Sequence, residues 1–509
     1  MDACVEQLFA HLHPGNHCPA LVAANESACS YAELDDRTRR IATGFHRLGV
    51  QAGDRVAAYL APGEAVVQTL LACHRLGAVF VPINRRYQDR ELAHIVRDCR
   101  PALAVSDPDG LSALGRVVSP TPRLVQAGSA TGGTPHLAEW PTHLPWEGPL
   151  PDNHDPALMI YTSGTTGASK GVVHSFSGLI QNIGALTRSW GFSGQDRLCL
   201  MLPLFHVHGL CIGIHGSLLT GNSVLLHERF EPSQVFRDFA ERDATVFMGV
   251  PTMYARLVER AQTEPTAAAK LQRARLFTAG SAPLSPRLFA EFQALTGHAI
   301  LERYGMSETL ITLSNPLAGP RRPGTVGTEV EGCEVRIVDD SGRDVPRGVS
   351  GELLVRGPSL MLGYWDHSRD LLAPVDDDGW FATGDVAQQD SGGYVRILGR
   401  RTTDLIKSGG YRIAARELEE VLLEHPTVDE VAVIGVPDVT WGERIVAVVV
   451  AETADEPSLS RALREHCREQ LADYKCPRGF VVRRALPRNA LGKLQKHELV
   501  AELAAYTAE

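Results

Sequence analysis

Residues 55–82 read RVAAYLAPGEAVVQTLLACHRLGAVFVP. A short apolar run at 55–60, a helical pattern over 62–76 and a second apolar run at 78–82 make one βαβ unit. Buried parallel strands need helices on their faces, so this stretch predicts an α/β fold. Upstream, 32–48 has the pattern of an amphipathic helix. Downstream, 101–155 is rich in Pro, Gly, Ser and Asp and predicts a weak strand or two with long surface loops. The alternation returns at 156, with strands expected at 158–162, 223–226, 245–249 and 275–277. After Gly324 come short strands at 334–338, 351–356 and 394–398, split by turn sequences such as DDSGR and DSGG. After Arg400 a helix at 415–424, strands near 431–434 and 444–450 and a helix at 459–471 predict an α+β unit. At roughly 100–200 residues per domain, a chain of 509 residues holds two to four domains or subdomains. The expected division is a large N-terminal domain, 1–399, with two parallel-type α/β subdomains and a β-rich subdomain over about 324–399, followed by a small α+β C-terminal domain, 400–509.

Composition narrows the partners. The net charge of −10 is spread along the chain and argues against nucleic-acid binding, so an anionic ligand must be met by a local site. The ten cysteines include no CxxC pair, which favours free thiols over disulfides or zinc. The N-terminal MDACVEQLFAHLHPG lacks the pattern of a secretory or transit peptide, and no apolar run reaches the ~20 residues of a membrane helix. These features predict a cytoplasmic protein, monomer or homodimer, acting on small molecules.

The richest polar motif is 161–171, YTSGTTGASKG. It follows an apolar strand and precedes a helix-like stretch. Glycines let a backbone approach an anion closely. The N–H groups and the hydroxyls of Thr162, Ser163, Thr165 and Thr166, the backbone of Gly164 and Gly167, and the charge of Lys170 suit a phosphate chain. A Walker A loop places Ser or Thr after its Lys, whereas here Gly171 follows, so a P-loop kinase or GTPase is disfavoured.

With that loop come, in order, LPLFHVHG at 202–209, YGMSE at 304–308, GELLVRG at 351–357, TGD at 383–385, GRRTTDLIKSGGYRI at 399–413 and PRNALGK at 487–493. On this ordered set the chain resembles the acyl-adenylate-forming superfamily, over essentially its whole length. Ala168-Ser169 replaces the usual x-Pro before the Lys, and Ser307 the usual Thr. The resemblance implies attack of a carboxylate on the α-phosphate of ATP, release of pyrophosphate, then transfer of the acyl group to a thiol. It implies ATP and Mg²⁺, with Glu308 and Thr165 on the metal and Thr165, Thr166 and Lys170 around the β- and γ-phosphates. Gly280, Ser281, Ala282 and the Arg303-Tyr304-Gly305-Met306-Ser307 run would frame the nucleotide. Asp385 would bind the ribose hydroxyls, and Arg400 the ribose or a phosphate. Lys493 would bridge the carboxylate and the α-phosphate. The C-terminal unit would rotate about a hinge near Arg400, bringing Ser408, Gly409, Gly410 and Tyr411 to coenzyme A. GRRTTD carries one residue more than the common hinge motif, which leaves Arg400 and Arg401 as alternative pivots.

The acid follows from fewer residues. Amino-acid-activating members carry an Asp in the aromatic motif, and Phe205-His206-Val207-His208 has none. Arg256, on a helix after an apolar strand, would be costly in an acyl tunnel unless paired, and a guanidinium suits a second carboxylate. LPLFHVHGL, GVPTMY, LERYGMSETL, TDLIKSGGY and IGVPDVTWGERI resemble the malonyl-CoA synthetases. That likeness implies Arg256 and Ser281 on the distal carboxylate, His206 beside them, and Val207 and Met306 walling a small pocket. The expected activity is ligation of malonate or methylmalonate to coenzyme A. The alternatives are a CoA ligase for another short or aromatic acid and a silent nucleotide- or acyl-binding protein.

Overall fold

The computed structural model describes residues 4–117, 122–127, 136–137, 140, 144–162, 169–366, 371, 374–401, 404–408, 411–438, 440–452, 455–488 and 494–505. Among them the strands form four sheets. A seven-stranded sheet contains the opening βαβ unit: Arg55–Tyr59 pairs in parallel with Val79–Pro82 on one side and Leu103–Ser106 on the other. All of Arg55–Tyr59 is buried, as expected of a strand covered on both faces. The helix Glu64–Leu76 ends at Gly77, whose φ of 68° is the left-handed cap that glycine supplies.

The second sheet has nine strands and positions the site. Arg197–Leu200, Val246–Gly249, Leu276–Ala279 and Leu301–Met306 lie side by side in parallel. Their carboxyl ends deliver, in turn, the 202–208 motif, the helix bearing Arg256, the Gly280-Ser281 turn and the Arg303–Ser307 run. Ligands of α/β sheets bind at this edge because the loops there converge. A four-stranded antiparallel sheet, Glu334–Val338, Ser350–Arg356, Phe381–Gln389 and Val395–Arg400, carries Asp385 and Arg400. The fourth sheet holds Tyr411–Ala414, Leu405–Ser408, Gly442–Val450, Glu430–Asp438 and Gly479–Arg483, with the helices Ala415–Leu423 and Glu456–Gln470 packed against it.

Two elements differ from expectation. An unexpected strand stands between the phosphate loop and the helix that follows it: Pro156–Thr162 pairs antiparallel with Lys170–Ser175, Thr162 opposite Lys170. The helix Phe176–Ser189 begins one strand later, capped by Ser175, which accepts the Gly178 N–H at 3.1 Å. The strands on either side of 163–168 are thus paired with each other. The second difference is a π-helix over His208–His215. This widened turn often marks a functional site.

Candidate active site

The site has three parts. The nucleotide part gathers on Asp385. Tyr304 donates its hydroxyl to Asp385 Oδ2 at 2.5 Å, and Arg400 Nε lies 2.9 Å from Oδ1. Asp385 and Arg400 face each other in register across the Phe381–Gln389 and Val395–Arg400 strands. Thr383 Oγ1 accepts the Asp385 N–H at 3.0 Å and donates to the Leu353 carbonyl at 2.7 Å. Burial, then the Asp385 charge, push the Tyr304 phenol well above its ordinary pKa, so it remains a donor.

The phosphate part lies around Lys170 and Glu308. The Lys170 ammonium sits 5.0 Å from the centre of the Tyr364 ring. Tyr364 donates to Glu308 Oε1 at 3.0 Å, and the Glu308 carbonyl accepts the Met361 N–H at 2.9 Å. His174, a neutral imidazole whose pKa burial lowers to about 4, donates to the Ser307 carbonyl at 2.6 Å. The turn bearing Glu308 is thus held from both sides. Its carboxylate is buried yet has one oxygen free of protein partners among the described residues. A hard oxygen beside an anion loop fits Mg²⁺. Ser163, Gly164, Thr165, Thr166, Gly167 and Lys493 lie outside the described residues.

The acyl part is built around Arg303. Its side chain is buried, and Nε and Nη2 have no partner among the described residues. Burial lowers its pKa to about 9, which leaves it cationic at neutral pH. The guanidinium presses on Gly280, where an added Cβ would fall 2.5 Å from Cζ, so a larger residue there would displace it. The next residue, Ser281, is exposed, has φ 68°, and places Oγ 3.4 Å from His208 Nδ1. His206 Nε2 and His208 Nε2 are also buried without partners among the described residues. Burial lowers His206 to about 4; burial first, then Arg303, hold His208 well below the ordinary range. A buried cation with two open N–H bonds, flanked by neutral imidazoles and a hydroxyl, is a receptor for an anion rather than for a hydrocarbon.

Arg256 is placed differently. It lies on the exposed side of Pro251–Thr263, its guanidinium 5.0 Å from the centre of the Phe230 ring. Val207 belongs to the main core, and Met306 packs on Val172, Met361 and Phe381. Ala282 is exposed beside Ser281.

In the C-terminal unit Ser408 is buried and pairs with Tyr411 and Gly442. Gly409 and Gly410 lie outside the described residues, as does the Tyr411 side chain. Next to Gly442, Trp441 carries the Arg478 guanidinium 3.5 Å from its ring centre. The Nε atoms of Arg478 and Arg444 are buried without partners among the described residues. Both arginines lie within the electrostatic reach of Asp438. The WGER sequence is the visible signal of this cationic surface. One other cluster could reach a metal, Cys199, His227 and Asp238, with ligand atoms within 4.8 Å of one another. Asp238 is already engaged by His227 at 2.7 Å and Arg242 at 3.1 Å, which balances its charge without an ion.

The chain is similar to known proteins along nearly its whole length. Residues 10–365 match the sequence family described as AMP-binding enzyme, and 417–493 match AMP-binding enzyme C-terminal domain. The mitochondrial malonate–CoA ligase of Mus musculus is 36% identical, covering 93% of this chain and 87% of its own. The malonate–CoA ligase of Arabidopsis thaliana is 33% identical over 96% of this chain and 87% of its own. The crystal structure of ATP-bound MatB from Rhodopseudomonas palustris superposes with a TM-score of 0.92, at 35% identity, over 99% of this chain and 100% of its own.

Proposed function

This chain belongs to the AMP-binding enzyme family and is an ATP-dependent acid–CoA ligase, and we propose that its acid is a small dicarboxylate, malonate or methylmalonate. The observation that carries the choice of acid is the buried Arg303 guanidinium with Nε and Nη2 open. A hydrocarbon tail would leave that charge unpaired, whereas a distal carboxylate would accept both N–H bonds in one plane. Ser281 and the neutral His206 and His208 would complete the shell, and Arg256 would close it from the exposed side.

In the first step one carboxylate oxygen attacks the α-phosphorus; the new O–P bond forms as the bond to pyrophosphate breaks. In the second the thiol sulfur attacks the acyl carbonyl and AMP leaves. Asp385 would hold the ribose, oriented by Tyr304 and Arg400. Lys170 and residues 163–167 would hold the β- and γ-phosphates. Glu308 and Thr165 would hold Mg²⁺, which supplies charge neutralisation there. Lys493 would bridge the carboxylate and the α-phosphate. The C-terminal unit would then rotate about the hinge near Arg400 to bring Ser408–Tyr411 to the thiol. Arg444, Arg478 and Trp441 would meet the anionic, aromatic end of coenzyme A. No helix among the described residues is long and apolar enough to cross a membrane; we place the protein in the cytoplasm.

Incubation with ATP, Mg²⁺, coenzyme A and malonate tests the reading. Malonyl-CoA, AMP and pyrophosphate in equal amounts support it. ADP as the nucleotide product, or no thioester, refutes it.

A further inference from the structure

Lys496 opens the last helix, Lys496–Ala505. A cation in a first helical turn opposes the helix dipole, so its presence there calls for a compensating contact. The contact is a clamp: Nζ lies 2.6 Å from Asp404 Oδ1 and 2.8 Å from Glu419 Oε1. Its side chain is 12% exposed and those of the two acids 20% and 18%, so the ions are shielded from water. Each acid is tied elsewhere as well. Asp404 Oδ2 accepts the Arg400 N–H at 2.8 Å, and Glu419 Oε1 accepts the Val433 N–H at 2.8 Å. Just before Lys496 the chain is pinned by Gln495 N–H on the Pro487 carbonyl at 2.9 Å and by a β-bridge between Arg488 and Leu494.

We propose that Lys496 is a positioning residue for the adenylation half-reaction, holding the base of the segment that carries Lys493 in register with the ribose site. The inference rests on the role given above to Lys493. The two lysines are three positions apart, at most about 11 Å of chain. From Lys496 the contacts run without a gap through Asp404 and Arg400 to Asp385 and Tyr304. Asp404 is the switch in this chain of contacts. It stands on the C-terminal side of 402–403 and Arg400 on the other. A pivot of the C-terminal unit between Arg400 and Asp404 would break the bond between them, while Lys496, Asp404 and Glu419, all beyond it, would travel together. With Lys493 in the role given above, the clamp would hold its segment toward the nucleotide while the Arg400–Asp404 bond is made, and not after that bond breaks.

The test uses the full-length enzyme and the acid that gives the wild type its fastest ATP–pyrophosphate exchange. Lys496→Met is expected to lower the exchange kcat by about tenfold or more, since loss of register in a reacting group costs this much. The same variant should convert supplied acyl-adenylate and coenzyme A to thioester within about twofold of wild type, because the second half-reaction does not use this register. Lys496→Arg should restore exchange. Exchange unchanged in Lys496→Met, or both half-reactions lost together, would overturn the proposal. Lys493→Ala run alongside separates the two readings: if it spares exchange, the role of Lys493 fails, whatever Lys496→Met does.

Discussion

Tyr304 and Asp385 meet across 2.5 Å, hydroxyl to carboxylate, and the contact joins the nine-stranded sheet to the four-stranded one. Arg400, on the neighbouring strand of the four-stranded sheet, holds the other oxygen. One buried carboxylate thus ties together three strands, Leu301–Met306, Phe381–Gln389 and Val395–Arg400. Hydrogen bonds to a charged group contribute about 1.5–3 kcal/mol, so Asp385→Ala should lower kcat/KM for ATP by roughly 10- to 100-fold. A steady-state ATP titration checks it; a change in KM for the acid alone would place Asp385 elsewhere.

Arg303 should show opposite effects on stability and activity. An open guanidinium in the interior costs free energy in the unliganded protein. Arg303→Met should leave Tm unchanged or raise it, yet lower kcat/KM for dicarboxylic acids by about 100-fold, the worth of two charge-assisted hydrogen bonds. Calorimetry and pyrophosphate release on the same preparation read both. A lower Tm with unaltered acid preference would make Arg303 a structural residue.

Arg256 rests on Phe230 at the exposed rim, so its loss should barely touch the fold. Arg256→Ala should lower malonate kcat/KM by about tenfold or more while acetate changes less than about twofold, if its guanidinium reaches a second carboxylate. Unchanged malonate kinetics would remove Arg256 from the acyl site.

Burial raises the neighbouring Glu302 from 4.5 to about 7, against the opposing pull of Arg416 and the N–H groups of Gly324 and Leu284 and with a push from Glu420. The folded protein therefore keeps a proton between pH 4.5 and 7 that the unfolded chain has lost. The stability this gives is complete below 4.5 and disappears as pH rises through 7, an effect of about 3 kcal/mol. Glu302→Gln keeps the acceptor for the Gly324 N–H. Relative to wild type, its Tm should rise steadily between pH 5 and 8. Parallel curves for the two proteins would contradict this.

Much of the framework is legible in the sequence because buried strands and amphipathic helices write their period into it. The strands Ser223–Leu226 and Glu334–Val338 fall where expected. The helix Glu456–Gln470 begins three residues before its expected start and ends one before its expected end. Lys170–Ser175 is missed because an apolar run abutting a helix has no period of its own, and only pairing with Pro156–Thr162 makes it a strand. The π-helix is missed because HGLCIGIH is apolar on every side. Motif order pointed to Asp385, Arg400, Tyr304 and Glu308, which the fold brings into contact with one another or with Lys170 and Tyr364. Arg303 sits among the motif's nucleotide residues, and its open, buried guanidinium appears only once Leu301–Met306 is packed beside Leu276–Ala279. Arg256 was the sequence's candidate for that charge, and helical spacing alone does not tell an exposed face from a tunnel wall.

The central claim is that this ligase takes a small dicarboxylate, and a pyrophosphate-release panel tests it most directly. Malonate, methylmalonate, acetate, benzoate and octanoate are compared at equal concentration, with and without coenzyme A. The structure of the Arg303 site predicts that malonate or methylmalonate gives a kcat/KM at least about 100-fold above every monoacid. Faster turnover of benzoate, octanoate or acetate would contradict it.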